Sequence, residues 1–556
     1  MGEVVAEVLV VGAGPCGLVL AAELFRHGVP CRLIEASATP HEQSRATDLH
    51  PRTLEAMEQM GVLSTFMARG SDRARLAVHS GGRQLAEVDI RDADTSHPTM
   101  LGIAQSDSEE ILAEHLVAVG GRVERGVSLV GLRQDGEGVE VELRGAEGAV
   151  EVARFGWVVG CDGAHSAVRG ALGLRLEGST FEESFFLVDV HFAEDGVDPR
   201  SCDVYLSSDG MVMFLPLPGD RVVRIFGDYE GDEVVDEAAC LSILTRRTGL
   251  KLPPIKKIGW SALFRVHSRM VDRYRVGRVF VAGDAAHLHS PVGAHGMNTS
   301  VQDAFNLAWK LAWVCRGWSP QSLLDSYEAE RLPVARRVLL ETNLNTQMML
   351  VRNGLMRRVM GAMTGLAMDW LTPMRRQLIA QTLELNVAYK PNPWLREHHI
   401  SMLRAQLVVD PDNEDPCVGK YLEFNRGPGP GERAPDVALP SLGLRLFEAL
   451  TQPAAAALLL FDGVADTLSG DENLRQIARV VQDRWPERLQ VAIISPRADW
   501  PDAPATLWHD PDMAVHRRFG ASGECLYLLR PDGYIGFRSQ PASLEPLMDY
   551  LQALWI

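Results

Sequence analysis

Residues Arg278–Asn298 read RVFVAGDAAHLHSPVGAHGMN, and this stretch decides the fold. Val279–Ala282 is an apolar run that predicts a buried strand. Gly283 ends the strand, and Asp284 follows where the strand gives way to a loop. Its carboxylate is therefore placed to accept hydrogen bonds from a polyhydroxylated chain such as a sugar alcohol.

The second half of this stretch predicts an anion-binding loop. Pro291, Gly293 and Gly296 are residue types that shape turns and leave backbone N–H groups free. We predict a helix from about Thr299, so that its N-terminus points at the same place. Free N–H groups and a helix N-terminus both favour an anionic ligand.

Composition indicates a large globular protein with several domains. The 556 residues are 46% hydrophobic and 23% charged, and this length predicts two to four domains. Lys and Arg total 55 against 73 Asp and Glu, which gives a net charge of −18. We expect no nucleic-acid partner, because sequence-independent binding to nucleic acid depends on an excess of basic residues.

The sequence also predicts a cytoplasmic protein that does not enter a membrane. The longest wholly apolar run, Ala454–Phe461, is much shorter than a membrane span. The first residues lack a basic segment and lead into a glycine motif, so they predict a strand rather than a signal peptide. Eight cysteines are scattered without a CxxC pair, which is typical of a reducing compartment.

A nucleotide-binding pattern stands near the N-terminus. Glu7–Val11 predicts a buried strand, and Gly12–Gly17 follows with the sequence GAGPCG. Pro15–His27 has a helical pattern, and a second strand, Cys31–Ile34, ends at Glu35. A GxGxxG motif in this strand–helix–strand context predicts a dinucleotide site.

Each residue of this pattern has a predicted task. Gly12 makes the tight turn, Gly14 lets a pyrophosphate approach, and Gly17 lets the helix lie against the strand. Glu35 would meet a ribose 2′-hydroxyl and would repel a 2′-phosphate, so the fold binds FAD or NAD rather than NADP. The predicted ligands here are Gly12, Ala13, Gly14, Pro15, Gly17 and Glu35.

Further motifs follow in a set order. They are Ser44–Thr47 with His50–Glu55, Gln105 before a capping-box pattern that opens a predicted helix Asp107–Val119, Trp157–Arg169 with its Asp162-Gly163 pair, and Asn306–Leu311, which reads NLAWKL. With the two stretches above, they resemble the single-component, class A FAD-dependent aromatic hydroxylases. The resemblance covers roughly Glu7–Pro333 and favours the branch with the para-hydroxybenzoate hydroxylase fold that acts on polyketides and phenols.

The resemblance implies FAD as the cofactor and assigns residues to it. Arg45 would reach the phosphates, Gln105 the adenosine side and Asp162 the pyrophosphate, whereas Arg52 either holds the fold or borders the substrate entrance. Asp284 would hold the ribityl chain. The residues implied beside the flavin in the second stretch are Gly283, Asp284, Pro291, Gly296, Met297 and Asn298.

The resemblance also implies the reaction. NAD(P)H, a transient electron donor, would reduce FAD, and O₂ would form a flavin C4a-hydroperoxide that hydroxylates an electron-rich phenolic or polyketide-like substrate. Pro291 and His295 are the catalytic candidates, and no metal is expected. The alternatives are a Baeyer–Villiger or epoxidising monooxygenase on the same scaffold, and a non-catalytic protein that binds flavin or a drug.

One loop departs from the family. The usual Gly-Gly-Gln-Gly is Gly293-Ala294-His295-Gly296 here. Ala294 restricts a backbone that is normally glycine, and His295 is either a conservative donor swap or a group that tunes flavin or substrate protonation. His287 and His289 are interpreted as structural, and a base for the substrate is left unassigned.

The predicted fold class is α/β, with a Rossmann-like FAD-binding domain, an inserted antiparallel β substrate domain, a helical connector and a C-terminal thioredoxin-like domain. The boundaries are 1–178 and 274–345 for the FAD-binding domain, 179–273 for the substrate domain, 346–410 for the connector, 411–440 for a linker and 441–556 for the thioredoxin-like domain without CxxC. We expect a monomer or homodimer. Candidate pocket side chains on the substrate sheet are His191, Tyr205, Met213, Phe214, Phe226 and Tyr229, and which of them face the flavin is left open.

Overall fold

The structure is a computed structural model, and it describes residues 7–40, 46–219, 221–231, 235–353, 377, 379–399, 423–450, 455–463, 470–498, 500 and 504–556. The chain folds into two compact units. The first contains Met1–Phe25, Pro30–Phe305 and Arg331–Leu385, and the second contains Arg26–Val29, Asn306–Glu330 and Asn386–Ile556.

The strands of the described residues are β1 Val8–Val11, β2 Cys31–Glu35, β3 Asp48–Leu49, β4 Ser71–Arg73, β5 Arg75–Ser80, β6 Arg83–Asp89, β7 Met100–Gly102, β8 Val123–Arg125, β9 Ser128–Gln134, β10 Val139–Arg144, β11 Val150–Phe155, β12 Trp157–Gly160, β13 Glu177–Phe192, β14 Ser201–Ser207, β15 Gly210–Pro216, β16 Val222–Tyr229, β17 Ile255–Met270, β18 Arg275–Val276, β19 Val279–Val281, β20 His287–Leu288, β21 Arg396–His399, β22 Ala438–Leu439, β23 Leu444–Arg445, β24 Ala456–Phe461, β25 Leu489–Ser495, β26 Thr506–His509, β27 Cys525–Leu529 and β28 Ile535–Gln540.

The α-helices of the described residues are α1 Pro15–Arg26, α2 Pro51–Met60, α3 Leu63–Arg69, α4 Gln105–Ala118, α5 Ala167–Ala171, α6 Glu237–Thr248, α7 His295–Cys315, α8 Asp325–Met349, α9 Leu446–Ala449, α10 Gly470–Arg484, α11 Ala514–Phe519 and α12 Leu544–Leu554. Short 3₁₀ turns cover Ile90–Asp92, Gly283–Ala285 and Gln321–Leu324.

The first unit contains the predicted nucleotide-binding sheet. Its strand order is β18-β19-β12-β1-β2-β8, and every pair from β19 to β8 is parallel. Strand β1 is fully buried, as its run of apolar residues predicts. The glycine turn follows β1, and β12 and β19 deliver the Asp162 and Asp284 motifs to the carboxyl edge of the same sheet. The Rossmann-like prediction is confirmed.

The substrate sheet is larger than predicted. It has eight strands in the order β20-β17-β13-β16-β15-β14-β5-β6, and β14 pairs with β5 in parallel. The predicted boundary at residue 178 is therefore wrong for β5 and β6, because they belong to this sheet although they precede the boundary. Most side chains of both strands are half-buried or exposed, so neither strand has the strong alternation of apolar and polar residues that predicts a strand.

Side chains from the two faces of this sheet enter different apolar clusters. One cluster, called here the helix face, includes Phe186, Val188 and Phe214 and is shared with Cys240 and Leu244 of α6. The other, called here the loop face, unites Phe185, Met213 and Phe226 with Val292 from the loop before α7.

Two helices begin earlier than the sequence predicts. Helix α7 begins at His295 rather than at about Thr299, so Gly296, Met297 and Asn298 form its first turn. Helix α4 begins at Gln105, and its N-cap, Ala104, has no side-chain bond, so the predicted capping box does not form. In both cases the first residues of the helix are of types that are common in loops, yet their backbone is helical.

The second unit has one six-stranded sheet in the order β21-β28-β27-β24-β25-β26. Strands β24, β25 and β26 are parallel, and β27 and β28 are antiparallel to their neighbours β24 and β27. From β24 onward the order of elements in this unit is β24, α10, β25, β26, α11, β27, β28 and α12. The thioredoxin-like assignment of this order remains a prediction.

Several predicted boundaries differ from the structure in this unit. Within the predicted connector, Asn386–His399 is not helical and belongs to the second unit, where β21 pairs with β28. In the predicted linker, Phe424, Ala434 and Val437 are buried in a core cluster of the unit. Asn306–Glu330, predicted as FAD-binding domain, also belongs to this unit. The methionine-rich segment from Met356 to Met374 lies outside the described residues.

Candidate active site

The glycine turn after β1 leaves a cradle that fits a pyrophosphate. A Cβ atom on Gly12 would lie 2.5 Å from the Cys161 carbonyl oxygen, and one on Gly17 would lie 1.9 Å from the Gly12 carbonyl oxygen. Gly12 also has a positive φ of 101°. Around Gly14, in contrast, nothing lies within 4 Å of a Cβ position. Gly12 and Gly17 are therefore required for the packing of the protein itself, whereas the space at Gly14 is available to a phosphate.

The predicted ribose ligand is held in place at the end of β2. The Glu35 carboxylate accepts hydrogen bonds from the backbone N–H of Ala13, at 2.9 Å, and of Ser37, at 2.8 Å. A carboxylate offers about four acceptor positions, so two remain for ribose hydroxyls. Pro15 begins α1 directly beside this group, and the N-terminus of that helix favours an anion. The residues present fit the adenosine half of FAD.

The Asp162 carboxylate makes hydrogen bonds within the protein, and its predicted place at the pyrophosphate remains a prediction. It accepts hydrogen bonds from Ser166 Oγ, at 2.5 Å, and from the backbone N–H of Ala167 and Val168. It therefore caps α5, and burial raises its pKa. Only its backbone approaches the cradle, since its Cα would lie 2.7 Å from a Cβ on Gly12.

The other predicted residues of the adenosine side are Gln105 and Arg45. Gln105 donates from Nε2 to Glu109 at 2.8 Å, and its Oε1 accepts from the Ala46 N–H at 3.4 Å. It thus fixes the backbone that follows Arg45, which itself lies outside the described residues. Arg52 is buried and bonded to Glu55 at 3.0 Å, which favours its role in holding the fold.

The second motif is fixed by a buried carboxylate that the sequence did not single out. Asp303 of α7 accepts hydrogen bonds from the Gly283 N–H at 3.2 Å and from His287 at 2.7 Å. Its other oxygen accepts from Arg331 Nε at 2.6 Å. Burial raises the pKa of Asp303, but Arg331 and His287 outweigh it and hold that pKa below the ordinary value. His287 is structural, as predicted.

This anchor leaves Asp284 outside the core. Asp284 lies in the 3₁₀ turn Gly283–Ala285 and is exposed, and Pro291 is exposed as well. Gly283 has a φ of 59°, and a Cβ there would lie 2.9 Å from Ser300 Oγ and 3.2 Å from Cys16 Sγ. The roles predicted for Asp284, Pro291 and Gly283 beside the flavin remain predictions.

The first turn of α7 is attached to the backbone before α2. Asn298 Oδ1 accepts from the His50 N–H at 2.8 Å, and its Nδ2 donates to the carbonyl oxygens of Asp48 and Ala294. The Asn298 side chain therefore positions the helix, and its predicted contact with the flavin remains a prediction. At Gly296 nothing lies within 4 Å of a Cβ position, so space remains beside the helix N-terminus.

The loop that departs from the family carries strain and a buried pair. Ala294 has a φ of 56°, a conformation that costs a residue with a Cβ about 1–2 kcal/mol. Next to it, His295 is buried, and its Nδ1 lies 2.7 Å from Glu384 Oε1. The sequence analysis did not identify Glu384, because it is distant from His295 in the chain and belongs to no local motif with it.

Together, the cradle, Glu35 and the anchored loop before α7 define a protein that binds a flavin dinucleotide. The FAD binding domain family matches residues 5–342. The chain is 35% identical to the 6-methylpretetramide 4-monooxygenase of Streptomyces rimosus over 99% of this chain and 93% of that protein. It is 40% identical to the rifampicin monooxygenase of Streptomyces venezuelae over 63% of this chain and 72% of that protein. The solved anhydrotetracycline hydroxylase of Streptomyces rimosus matches with a TM-score of 0.72 and 27% identity, over 99% of both chains.

The chain therefore belongs to the FAD-dependent aromatic hydroxylases, as its motifs predicted. It is a flavoprotein monooxygenase with FAD as its cofactor, and NAD(P)H is the electron donor expected for the family. Among the described residues, no helix has the length and apolar character needed to cross a membrane.

Substitution of two glycines tests the cradle. We expect Gly14→Ala to fold normally but to weaken FAD binding by about tenfold, or about 1.4 kcal/mol, because its Cβ enters only the space for the pyrophosphate. The matched Gly17→Ala should destabilise the apoprotein by about 1–3 kcal/mol or more through overlap with Gly12. FAD titration and thermal unfolding of the apoprotein measure the two effects. Equal effects of both variants on apoprotein stability would contradict this account.

The strain at Ala294 has its own test. Ala294→Gly should raise the free energy of unfolding by about 1 kcal/mol, because glycine adopts a positive φ without cost. The control is Ala113→Gly in the middle of α4, which should lower it by about 1 kcal/mol. Urea unfolding of the holoenzyme measures both, and a loss of stability in both variants would show that Ala294 is not strained.

Proposed function

We propose that this enzyme uses NAD(P)H and O₂ to hydroxylate an electron-rich aromatic ring of a phenolic or polyketide-like substrate. The observation that carries the proposal is the loop face of the substrate sheet. That face is apolar and aromatic, and Val292 of the flavin loop belongs to the same cluster. A flat apolar substrate held against this face would therefore lie beside the flavin loop.

The geometry of the loop face suits an aromatic ring. Phe185 and Phe226 are stacked with their ring centroids 5.3 Å apart and their planes 1° from parallel. Phe264 lies next to Phe226, with a centroid distance of 6.3 Å. Aromatic rings in such offset arrangements provide a broad apolar wall, and further rings can pack on it.

The structure separates the six candidate pocket side chains. Met213 and Phe226 belong to the loop face, whereas Tyr205, Phe214 and Tyr229 belong to the helix face. His191 belongs to neither cluster. We therefore assign Met213 and Phe226 to the substrate side and leave the other four out of the pocket.

The roles of the site residues follow from this arrangement. FAD supplies the redox and oxygen-transfer chemistry, and the protein supplies binding, orientation and exclusion of water. We assign Gly12, Gly14 and Glu35 to the adenosine half of the cofactor. Exposed Asp284 would hold the ribityl chain, and Pro291 with the N–H groups of the first turn of α7 would border the flavin ring.

The names of the relatives include both polyketide-type and phenolic substrates. Three similar proteins are named for 6-methylpretetramide, rifampicin and anhydrotetracycline, and a fourth, 30% identical over 96% of this chain, is named for pentachlorophenol. The extent of the loop face along several strands of an eight-stranded sheet agrees with a large substrate better than with a small benzoate.

We further propose a cytoplasmic enzyme that acts as a monomer or homodimer. The seven described cysteines form no disulfide with one another, as a reducing compartment favours. The C-terminal domain is assigned a structural role, because Asp462 and Gly463 follow β24 where a thioredoxin carries its redox cysteines.

A panel of phenols and aromatic polyketides tests the proposed reaction. A true substrate should stimulate NAD(P)H oxidation by the FAD-loaded enzyme and give a product heavier by one oxygen atom, with the new hydroxyl on a ring carbon. Heat-inactivated holoenzyme is the control. An oxygen inserted between two carbons would indicate Baeyer–Villiger chemistry, an epoxide would indicate an epoxidase, and no stimulation by any compound would contradict a monooxygenase of this substrate class.

A second experiment tests which face of the sheet meets the substrate. Phe264→Leu on the loop face should raise KM for the best substrate or change the position of hydroxylation, because it alters the wall of the pocket. The control is Tyr229→Leu, a half-buried aromatic residue on the helix face, which should leave both properties unchanged. Product analysis by mass spectrometry and NMR distinguishes the two, and a larger effect of Tyr229→Leu would reverse the assignment of the faces.

A further inference from the structure

His295 and Glu384 form a buried pair of the kind that activates a base. The distance from His295 Nδ1 to Glu384 Oε1 is 2.7 Å, and both side chains are at most 5% exposed. Glu384 also accepts hydrogen bonds from Thr299 Oγ1, at 3.3 Å, and from Gln302 Nε2. Three donors thus fix its carboxylate, which in turn fixes the imidazole ring.

This pair determines which nitrogen of His295 can act as a base. Burial raises the pKa of Glu384, but His295, His50 and Arg331 outweigh it and hold that pKa below its ordinary value. An ionised carboxylate only accepts hydrogen bonds, so Nδ1 of His295 carries the proton of this bond. The lone pair of the neutral ring is then on Nε2, which makes no hydrogen bond with any residue that the structure describes.

The backbone is strained at both ends of this pair. Glu384 ends a helical segment as the left-handed residue of a Schellman motif, with its N–H bonded to Gln381 and that of Leu385 bonded to Ala380. This position usually holds glycine, yet Glu384 adopts it with a φ of 57°. Ala294, directly before His295, has a φ of 56°. Only four non-glycine residues of the described chain have a positive φ, and strain of this kind clusters at functional sites.

The loop is shaped to leave room for the imidazole. A Cβ atom on Gly293 would lie 2.8 Å from both Nε2 and Cδ2 of His295, so a side chain at this position would cover the Nε2 edge of the ring, whereas glycine does not. Val292, the residue before it, packs on the loop face with Phe185 and Phe226. The imidazole edge and the proposed substrate wall are therefore carried by one short turn.

We propose that His295 is the base that deprotonates the phenolic substrate and that Glu384 is the residue that positions it. The proposal rests on the proposed function, since it requires a phenol as substrate. The O–H bond of the phenol breaks, its proton forms a bond with Nε2 of His295, and the electron pair remains on the oxygen as a phenolate. The imidazolium produced is balanced by the Glu384 carboxylate. A phenolate is a more electron-rich ring than a phenol, so this step prepares the ring for oxygen transfer.

The other titratable groups around the pair leave this role to His295. The His50 ring is perpendicular to that of His295, with centroids 5.2 Å apart, and burial lowers the pKa of His50 to about 4. His289 is half-buried, and desolvation lowers its pKa well below the ordinary value. Both rings are therefore neutral near neutral pH.

The charged groups that face these rings are already paired. Arg331 is bonded to Asp303 at 2.6 Å, and Asp48, which faces His50, is bonded to Arg73. His287, stacked on His289 with centroids 4.6 Å apart, is bonded to the same Asp303. Asp303 is thus shared between Arg331 and His287, whereas the Glu384 carboxylate faces His295.

The test compares two phenols that differ in their need for a base. One has an ordinary pKa of about 10, and the other carries electron-withdrawing groups and is already ionised at neutral pH. For the first, we expect His295→Gln to lower kcat/KM by about 100-fold, the lower end of the contribution of a general base. For the second, kcat/KM should change by less than about threefold. An equal loss with both phenols would mean that His295 is only structural and would overturn the proposal.

A measurement without turnover separates this proposal from the proposed function. The absorbance of the bound phenolate is followed against pH in the oxidised holoenzyme without NAD(P)H. The ionisation midpoint of the bound phenol should move to higher pH by about one unit in His295→Gln, which corresponds to a tenfold loss of ionisation. An unchanged midpoint would overturn the base assignment even if the enzyme hydroxylates phenols. If no phenol binds or reacts with the wild-type enzyme, the proposed function itself fails.

Two further variants complete the test. Glu384→Gln keeps the shape of the side chain, and we expect a shift of the midpoint in the same direction but smaller than for His295→Gln. If Glu384→Gln has no effect, the positioning role is wrong. The matched control is His79→Gln, because the His79–Asp203 pair has a similar distance of 3.0 Å but lies on β5 and β14. His79→Gln should change neither readout, and flavin absorbance per protein shows that each variant is loaded with FAD.

Discussion

The site depends on one buried network of ion pairs and hydrogen bonds. In it, the Asp303 carboxylate of α7 connects the loop after β19 with α8. This carboxylate holds the Gly283 N–H and His287 on one side and Arg331 on the other, and Arg331 also donates to the Thr299 carbonyl at 3.1 Å. A fully buried charge is tolerated only when it is paired and hydrogen-bonded. These bonds fix the Asp284 turn and the first turn of α7 as one piece, so the two parts that we propose border the flavin keep their spacing.

A loop held so firmly can carry conformations that a free loop would avoid. The positive φ angles of Ala294 and Glu384 each cost free energy, and the surrounding buried hydrogen bonds offset that cost. The Asn298 amide contributes because it bonds the first turn of α7 to the His50 N–H and to the Asp48 carbonyl oxygen. The departure from the family at Ala294 and His295 is thus combined with a partner, Glu384, that stabilises the new side chain.

The sequence predicted the parts of this structure that depend on local pattern. A strand, a glycine turn and a helix are neighbours in the chain, so the cradle at Gly12–Gly17 could be recognised from its spacing. Strands β5 and β6 were missed because their side chains are mostly not buried, and β5 joins the sheet by pairing with β14, which is distant in the chain. Glu384 was missed because it is distant in the chain from His295, its partner. The start of α7 was placed too late because the glycines around His295 are typical of a loop.

We propose that this FAD-dependent hydroxylase acts on phenolic rings and that its substrate lies between the flavin loop and the loop face of the sheet. The most direct measurement is a single turnover of the reduced holoenzyme with a bound phenol and isotopically heavy O₂. We expect one heavy oxygen atom in the product, as a new hydroxyl on a ring carbon ortho or para to the phenolic oxygen. A hydroxyl oxygen that comes from water, or an unmodified phenol after the flavin has been reoxidised with every phenol that binds, would contradict the account.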